Sequence, residues 1–245
     1  MTYLEFLEDQ EIENQIKYLP EKNQYIASYP YTQEIFDLLP NKDIALKRTQ
    51  NLEANLLKTP EDLELINKTL MDSFERGIFR FLTKEEMESW DGQVHYLPIN
   101  RVYKDSESTP CRLVFDSGQP DKNKRSLNSC MMKGTNPLNH FGSICMKFRS
   151  AEQVAFGDIK KMFHAVAVRP RDQHLRRFFA RPDGFGGKEP LQEAVITTIN
   201  FGEKAAGSVA TAVKNRCADE NKNQAPKVSS SIKEESFMDD VMVKA

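Results

Sequence analysis

The chain has 245 residues with a net charge of −2 and a mean hydropathy of −0.59. No apolar run approaches the roughly 18 residues of a membrane span, and the acidic N-terminus is unlike a secretory signal. We therefore expect an intracellular protein, cytoplasmic or nuclear, without a membrane partner. The four cysteines lie far apart without a Cys-x-x-Cys pair, which favours reduced thiols over a zinc site.

Residues 1–90 predict an acidic N-terminal extension that contains a helical hairpin. A short helix is expected within residues 5–17. Asp43 predicts the cap of a second helix, and Thr59-Pro60-Glu61-Asp62 predicts the start of a third, which Gly77 ends. The second and third helices form a predicted helical hairpin.

Residues 91–245 predict a second domain in which strands mix with helices. The expected strands cover residues 94–97, 102–103, 111–116, 154–158, 166–168, 178–179 and 194–199, and the expected helices cover 136–149 and 205–220. Residues 106–110 predict a polar turn, 221–231 a linker, and 237–243 a β-hairpin. This mixture predicts an α+β fold, with α/β as the alternative.

Basic residues concentrate in the middle of the chain. Residues 101–181 carry 16 Lys and Arg against 7 Asp and Glu, whereas residues 1–100 carry 10 against 19. A polyphosphate or nucleic-acid substrate requires basic surface. The alternative is an ordinary solvated face.

Three aspartates are candidate metal ligands. Asp158 ends a predicted strand, and Asp239-Asp240 form the predicted tip of the hairpin. A hairpin beside that strand would bring the three carboxylates together, and such groups repel one another unless a cation neutralises them. Mg²⁺ prefers oxygen ligands, and two ions about 4 Å apart can clamp both reacting oxygens of a phosphoryl displacement. The alternative is a solvated turn at Asp239-Asp240 and a strand-end or cap role for Asp158.

Seven short motifs occur along the chain in a defined order. They are His95–Pro98, Ser108–Ser117, Ser126–Asn128, Met132–Gly134, Gly157–His164, Asn200–Gly202 and Phe237–Asp240. In order and spacing they resemble the reverse transcriptases of Bel/Pao-type LTR retrotransposons. The resemblance extends from about Tyr29 onward, and residues 39–48 are similar to the segment that precedes the domain in that family.

The resemblance implies a right-hand polymerase, in which residues 91–245 form the fingers and a partial palm built on an antiparallel sheet with packed helices. It also implies that the helical hairpin of residues 1–90 lies on the fingers side of the fold. It implies RNA-directed DNA polymerase activity with Asp158, Asp239 and Asp240 as the catalytic carboxylates, which hold two Mg²⁺ ions, or Mn²⁺. The implied partners are an RNA or DNA template-primer, a deoxynucleoside triphosphate and the remaining Pol domains of a full-length polyprotein.

The same resemblance implies four nucleotide-binding residues. Arg112 matches the fingers arginine that contacts the triphosphate, which suits a guanidinium because it donates two parallel hydrogen bonds. Phe163 matches the aromatic that packs under the sugar and excludes a 2′-hydroxyl. Phe201 and Gly202 match the start of a motif that supports nucleotide and template. The alternatives are a surface arginine on a strand for Arg112 and an ordinary core residue for Phe163.

The chain departs from the family pattern in three places. Phe237 stands where a tyrosine is usual, and Ala205-Ala206-Gly207-Ser208 stand where prolines are common. The sequence also ends soon after the hairpin, so the thumb is expected to be absent and the chain alone is expected to hold template-primer weakly and show little or no activity. The alternative function is a catalytically inactive retroelement remnant that binds nucleic acid or protein at most. A carboxylate-dependent phosphatase is disfavoured because its Asp-x-Asp-like nucleophile motif is missing.

Overall fold

The computed structural model of this chain describes residues 2–103, 110–150 and 152–244. Residues 106–109 therefore lie outside the described residues. They make up most of the turn predicted at residues 106–110 and include residues 108 and 109 of the second family motif. The α-helices are α1 (Tyr3–Asn14), α2 (Lys42–Leu56), α3 (Pro60–Glu75), α4 (Lys84–Ser89), α5 (Phe141–Arg149), α6 (Pro170–Gln173), α7 (Ala206–Glu220) and α8 (Pro226–Glu234). Of these helices, none is long and apolar enough to cross a lipid bilayer.

The strands are short, and neighbouring strands in each of the sheets named below are antiparallel. They are β1 (Lys17–Leu19), β2 (Gln24–Ala27), β3 (Phe79–Phe81), β4 (Ile99–Tyr103), β5 (Cys111–Phe115), β6 (Val154–Asp158), β7 (Ala167–Val168), β8 (Arg177–Ala180), β9 (Gln192–Ile196), β10 (Ser236–Phe237) and β11 (Asp240–Lys244). The sheets include β10-β11-β6, β3-β9-β8 and β4-β5. The fold is therefore α+β, as the sequence predicted, while the right-hand polymerase arrangement stays a prediction.

The contacts divide the chain into two compact units, and both are discontinuous in sequence. Unit 1 consists of Met1–Pro30, Met132–Ala167 and Ala205–Ala245, and unit 2 consists of Tyr31–Met131 and Val168–Lys204. The predicted domain boundary between residues 90 and 91 is not tested by this division and stays a prediction.

The core of unit 2 is built around three phenylalanine rings. Phe79 of β3, Phe115 of β5 and Phe178 of β8 are at most 4% exposed. Their ring centroids lie 5.0–5.3 Å apart in edge-to-face pairs, a favourable arrangement because the positive ring edge meets the negative ring face. The β4-β5 ribbon and the β3-β9-β8 sheet therefore share one core.

Helices α2 and α3 of unit 2 occur where the sequence predicted them, although the predicted cap of α2 was wrong. Helix α3 begins at Pro60 and is followed by Gly77 at φ +68°, a conformation that favours glycine. Helix α2 begins at Lys42, so that Asn41, not Asp43, precedes it.

The strand predicted at residues 94–97 is reduced to a single bridge to β8, and Asn41 binds the backbone groups of Tyr96 that this bridge leaves over. Asn41 Oδ1 accepts a hydrogen bond from the Tyr96 N–H at 2.8 Å, and its Nδ2 donates to the Tyr96 carbonyl at 2.9 Å. This amide thus satisfies both backbone groups that a neighbouring strand would otherwise pair with. Tyr96 is left with an isolated bridge to Arg177.

In unit 1, helices α7 and α8 pack against each other and α8 packs against β11. The sequence predicted a linker at residues 221–231, and this was wrong because α8 begins at Pro226. Proline is favoured at a first helical position, and the hydroxyl of Ser229 donates to the Ala218 carbonyl at 2.7 Å. Serines that are read as linker residues in the sequence therefore form part of a helix–helix contact.

The helix predicted at residues 136–149 was too long at its N-terminal end, since α5 begins at Phe141. The ring of His140 accepts the Ser143 N–H and so caps the helix. The amide of Asn139 donates to the carbonyls of Lys233 and Ser236, each at 2.9 Å. Residues before Phe141 therefore anchor the loop to β10 instead of extending α5.

Candidate functional site

The hairpin of β10 and β11 lies beside β6, as the sequence predicted. Strands β6 and β11 are antiparallel, with Asp158 opposite Asp240 and Gly157 opposite Val241. Residues directly opposite in an antiparallel pair point to the same face, with Cβ atoms about 5 Å apart. The register therefore brings two of the three predicted carboxylates together on one face of the sheet.

The third aspartate, Asp239, lies in the turn between the two strands. Phe237 pairs with Asp240, so Met238 and Asp239 form a two-residue connection. Met238 has φ +57°, which is uncommon for a side chain of this size. The carbonyl of Asp239 accepts a hydrogen bond from the Ile159 N–H at 2.8 Å, which fixes the turn next to the end of β6.

These carboxylates lie on the surface and are unpaired among the described residues. Asp158, Asp239 and Asp240 are all exposed. Within the part of the chain that the structure describes, none of their side chains forms an ion pair or a hydrogen bond. Like charges directly opposite on a sheet destabilise it, so the arrangement of Asp158 and Asp240 opposes folding unless a cation binds between them.

A complete metal cluster is not formed by the described side chains. Across residues 2–103, 110–150 and 152–244, no group of three or more His, Cys, Asp and Glu residues has the geometry to hold a metal ion. The site thus offers two opposed carboxylates, Asp158 and Asp240, with Asp239 at the next position. This arrangement suits a cation that binds one or two protein carboxylates and takes its other oxygen ligands from water or substrate. Mg²⁺ is usually bound in that way.

Three of the four predicted nucleotide-binding residues meet in unit 2. Arg112 of β5 is half-buried, and its guanidinium carbon lies 5.8 Å from the ring centroid of Phe201, within the range of a cation–π contact. Gly202 has φ +92°, and an added Cβ would lie 3.4 Å from the Phe115 carbonyl oxygen. Its carbonyl accepts a hydrogen bond from Asn128 at 2.9 Å. The fold thus brings Arg112 close to Phe201 and Gly202, although Arg112 is distant from both in sequence.

Phe163, the fourth of these residues, belongs to unit 1 with the aspartates. It lies in a 3₁₀ helix, Met162–Ala165, that follows β6, and its side chain is half-buried. Lys161, at φ +52°, precedes this helix and turns the chain away from the strand. The ring is therefore neither a fully buried core residue nor a fully exposed one.

Sequence reasoning missed Lys214, which lies on α7 and is only 9% exposed. Its ammonium group donates to the Ser236 hydroxyl and, at 3.4 Å, to the Met238 carbonyl. Burial lowers the pKa of Lys214. The available signal was its position on the apolar face of the predicted helix, four residues after Ala210 and four before Ala218.

No family model matches the chain and no curated protein matches it, so the resemblance to reverse transcriptases rests on the motifs themselves.

Proposed function

We propose that this chain contains part of the catalytic core of an RNA-directed DNA polymerase of a retrotransposon Pol polyprotein. The observation that supports the proposal most strongly is the pairing of Asp158 with Asp240 across β6 and β11. Sheets avoid like charges at directly opposed positions, and a cation-binding function accounts for this exception. The hairpin turn adds Asp239 at the adjacent position.

In this proposal Asp158, Asp239 and Asp240 hold Mg²⁺ or Mn²⁺ at the exposed end of β6. The cations would supply Lewis-acid activation and charge neutralisation for a phosphoryl transfer from a deoxynucleoside triphosphate. The protein contributes preorganisation, because the register of β6 with β11 and the Ile159–Asp239 hydrogen bond hold the backbone that carries the carboxylates.

The proposal assigns nucleotide contacts to the remaining predicted residues. The Arg112 guanidinium can donate two parallel hydrogen bonds to a phosphate, and its contact with Phe201 limits its rotamers. Gly202 keeps the backbone free of a side chain beside Phe201, which permits close approach of a ligand. Phe163 would pack against the sugar and discriminate against a 2′-hydroxyl.

A catalytically inactive remnant that binds nucleic acid or protein at most is the second candidate. The observation that favours it is the missing third ligand: within the described residues, no three acidic, His or Cys side chains converge on a metal position. In that case the aspartates of the hairpin would be an inherited feature without chemistry.

Primer extension on a homopolymer template distinguishes these two candidates. The assay uses high protein concentration and low salt, at which phosphate contacts are strongest. The proposal predicts Mg²⁺-dependent incorporation that Asp158→Asn abolishes and that Glu152→Gln, an exposed acid just before β6, leaves intact. Absence of incorporation by the unmodified chain would favour the inactive remnant, and incorporation that survives Asp158→Asn would contradict the assigned site.

A further inference from the structure

A buried lysine lies directly under the aspartate hairpin. Lys214 is 9% exposed and, among the described residues, it forms no ion pair with a carboxylate. Buried ammonium groups are costly unless they are paired or hydrogen-bonded. The two acceptors of Lys214, the Ser236 hydroxyl and the Met238 carbonyl, both belong to the hairpin. The protein thus places a buried ammonium group at the hairpin, where its hydrogen-bond acceptors are a hydroxyl and a carbonyl.

The hydrogen bonds of the turn show what this lysine can control. The carbonyl of Met238, which precedes Asp239, accepts a hydrogen bond from Lys214. The carbonyl of Asp239 itself accepts a hydrogen bond from the Ile159 N–H at 2.8 Å. The two peptide planes that flank Asp239 are therefore both held. Because these planes determine the direction of the Cα–Cβ bond, they also determine where the Asp239 carboxylate can point.

The backbone of Met238 requires such support. A residue of this type at φ +57° is held in a sparsely populated conformation, and such conformations persist only where the surroundings impose them. Lys214 acts on the carbonyl of that same residue, while Ser236, its other acceptor, donates to the Ile232 carbonyl at 2.6 Å and ties β10 to α8. The lysine therefore connects α7 to the strained position of the turn.

We propose that Lys214 is a positioning residue that holds the Met238–Asp239 turn, and thereby the Asp239 carboxylate, in the orientation needed for cation binding. The part of this inference that concerns cations rests on the proposed function, whereas the part that concerns the turn does not. The lysine acts through the backbone of the hairpin and does not touch the carboxylates.

Two variants of Lys214 and one matched control test the proposal. Lys214→Met keeps the length of the side chain and removes the donor, whereas Lys214→Gln keeps a donor but is shorter than the distance to Met238 requires. Lys204→Met is the control, because Lys204 also donates to a backbone carbonyl, that of Met131 at 2.7 Å, but belongs to unit 2. Circular dichroism checks that each variant is folded.

The first readout is amide hydrogen exchange at Ile159, measured by NMR without added metal. We expect exchange to accelerate about tenfold in Lys214→Met and Lys214→Gln, the factor for loss of one supporting hydrogen bond, with the amides of α7 unchanged. Lys204→Met should leave Ile159 as it is. Unchanged exchange at Ile159 in a folded Lys214 variant would overturn the proposal, whether or not the protein binds metal.

The second readout is Mn²⁺ affinity, which a purely structural lysine would not alter. We expect about tenfold weaker binding in Lys214→Met, the lower end of the usual effect of a residue that orients a metal ligand. We also expect no further loss when Asp239→Asn is added, because both changes remove the same ligand. Tighter binding in Lys214→Met would mean that the lysine acts only by repelling the cation, and would overturn the proposal. Failure of the unmodified chain to bind Mn²⁺ would contradict the proposed function, and Ile159 exchange alone would then decide the role of Lys214.

Discussion

Arg176→Met is expected to lower the free energy of unfolding by about 3–5 kcal/mol, because it leaves a buried carboxylate without its partner. Arg176 and Glu203 both have side chains that are 0% exposed, and Arg176 Nε lies 2.5 Å from Glu203 Oε1. The same guanidinium donates to the Asp172 carbonyl at 2.8 Å and to the Tyr31 hydroxyl at 3.1 Å. Its removal therefore leaves several buried acceptors in unit 2 without a donor.

Urea unfolding measures this loss, and an exposed ion pair provides the control. Arg48 and Asp116 lie 2.7 Å apart with side chains 38% and 40% exposed, so Arg48→Met should change the free energy of unfolding by less than about 1 kcal/mol. The double variant Arg176→Met, Glu203→Gln should recover part of the loss because no buried charge remains. Equal effects of Arg176→Met and Arg48→Met would contradict this description of the core.

Acidification from about pH 6.5 to about pH 4 is expected to destabilise the fold through His174. This side chain is 2% exposed and stacks on Trp90, with ring centroids 3.8 Å apart. Burial, and then the positive charge of Arg177, lower the pKa of His174 from 6.5 to about 4. The surrounding charged groups also include Glu86, Arg80 and Glu193, of which the acids act in the opposite direction.

The sign follows from proton binding. Between pH 6.5 and pH 4 the unfolded chain protonates His174 and the native protein does not, so protons favour unfolding and stability falls as pH falls. At about 1.4 kcal/mol for each pKa unit, the contribution reaches about 3 kcal/mol at pH 4. Above pH 6.5 the residue is neutral in both states, and this contribution to the pH dependence disappears.

The prediction is tested by measuring the free energy of unfolding from pH 4.5 to pH 7, for the unmodified protein and for His174→Gln. The variant should have a shallower pH dependence over that range. His140→Gln is the control because His140 is exposed, and it should keep the steeper dependence. A residual slope is expected in all three proteins because burial also lowers the pKa of His95. The same slope with and without His174 would contradict the prediction.

The sequence predicted those features of the fold that depend on local chemistry. Thr59-Pro60 marked the start of α3, Gly77 marked its end, and the acidic pair between two β-prone runs marked the hairpin. The predicted tip was wrong by one residue, because the turn is Met238-Asp239 and Asp240 begins β11. The placement of that hairpin beside β6 was also predicted, on the hypothesis that Asp158 and the acidic pair bind a shared cation. For the ends of α3 and for the hairpin, a few neighbouring residues determine the backbone conformation.

What the sequence did not predict depends on contacts between residues distant in the chain. The strand expected at residues 94–97 forms only a bridge to Arg177, with Asn41 bound to the backbone of Tyr96. The linker expected at 221–231 ends at Pro226, where α8 begins and packs against α7. The site shows the same limit. Lys214 was read as a helix residue, and its role emerges only from its contacts with Ser236 and Met238.

Titration with Mn²⁺, followed by the EPR signal of the free ion, tests the assignment of the aspartates most directly. The unmodified chain is predicted to bind Mn²⁺, and Asp158→Asn or Asp240→Asn should each weaken binding by at least about tenfold, since even the outer partners of metal ligands are typically worth 10–100-fold. Glu152→Gln should bind like the unmodified chain. Mn²⁺ affinity that is the same in the unmodified chain and in both aspartate variants would contradict a cation site at the paired ends of β6 and β11.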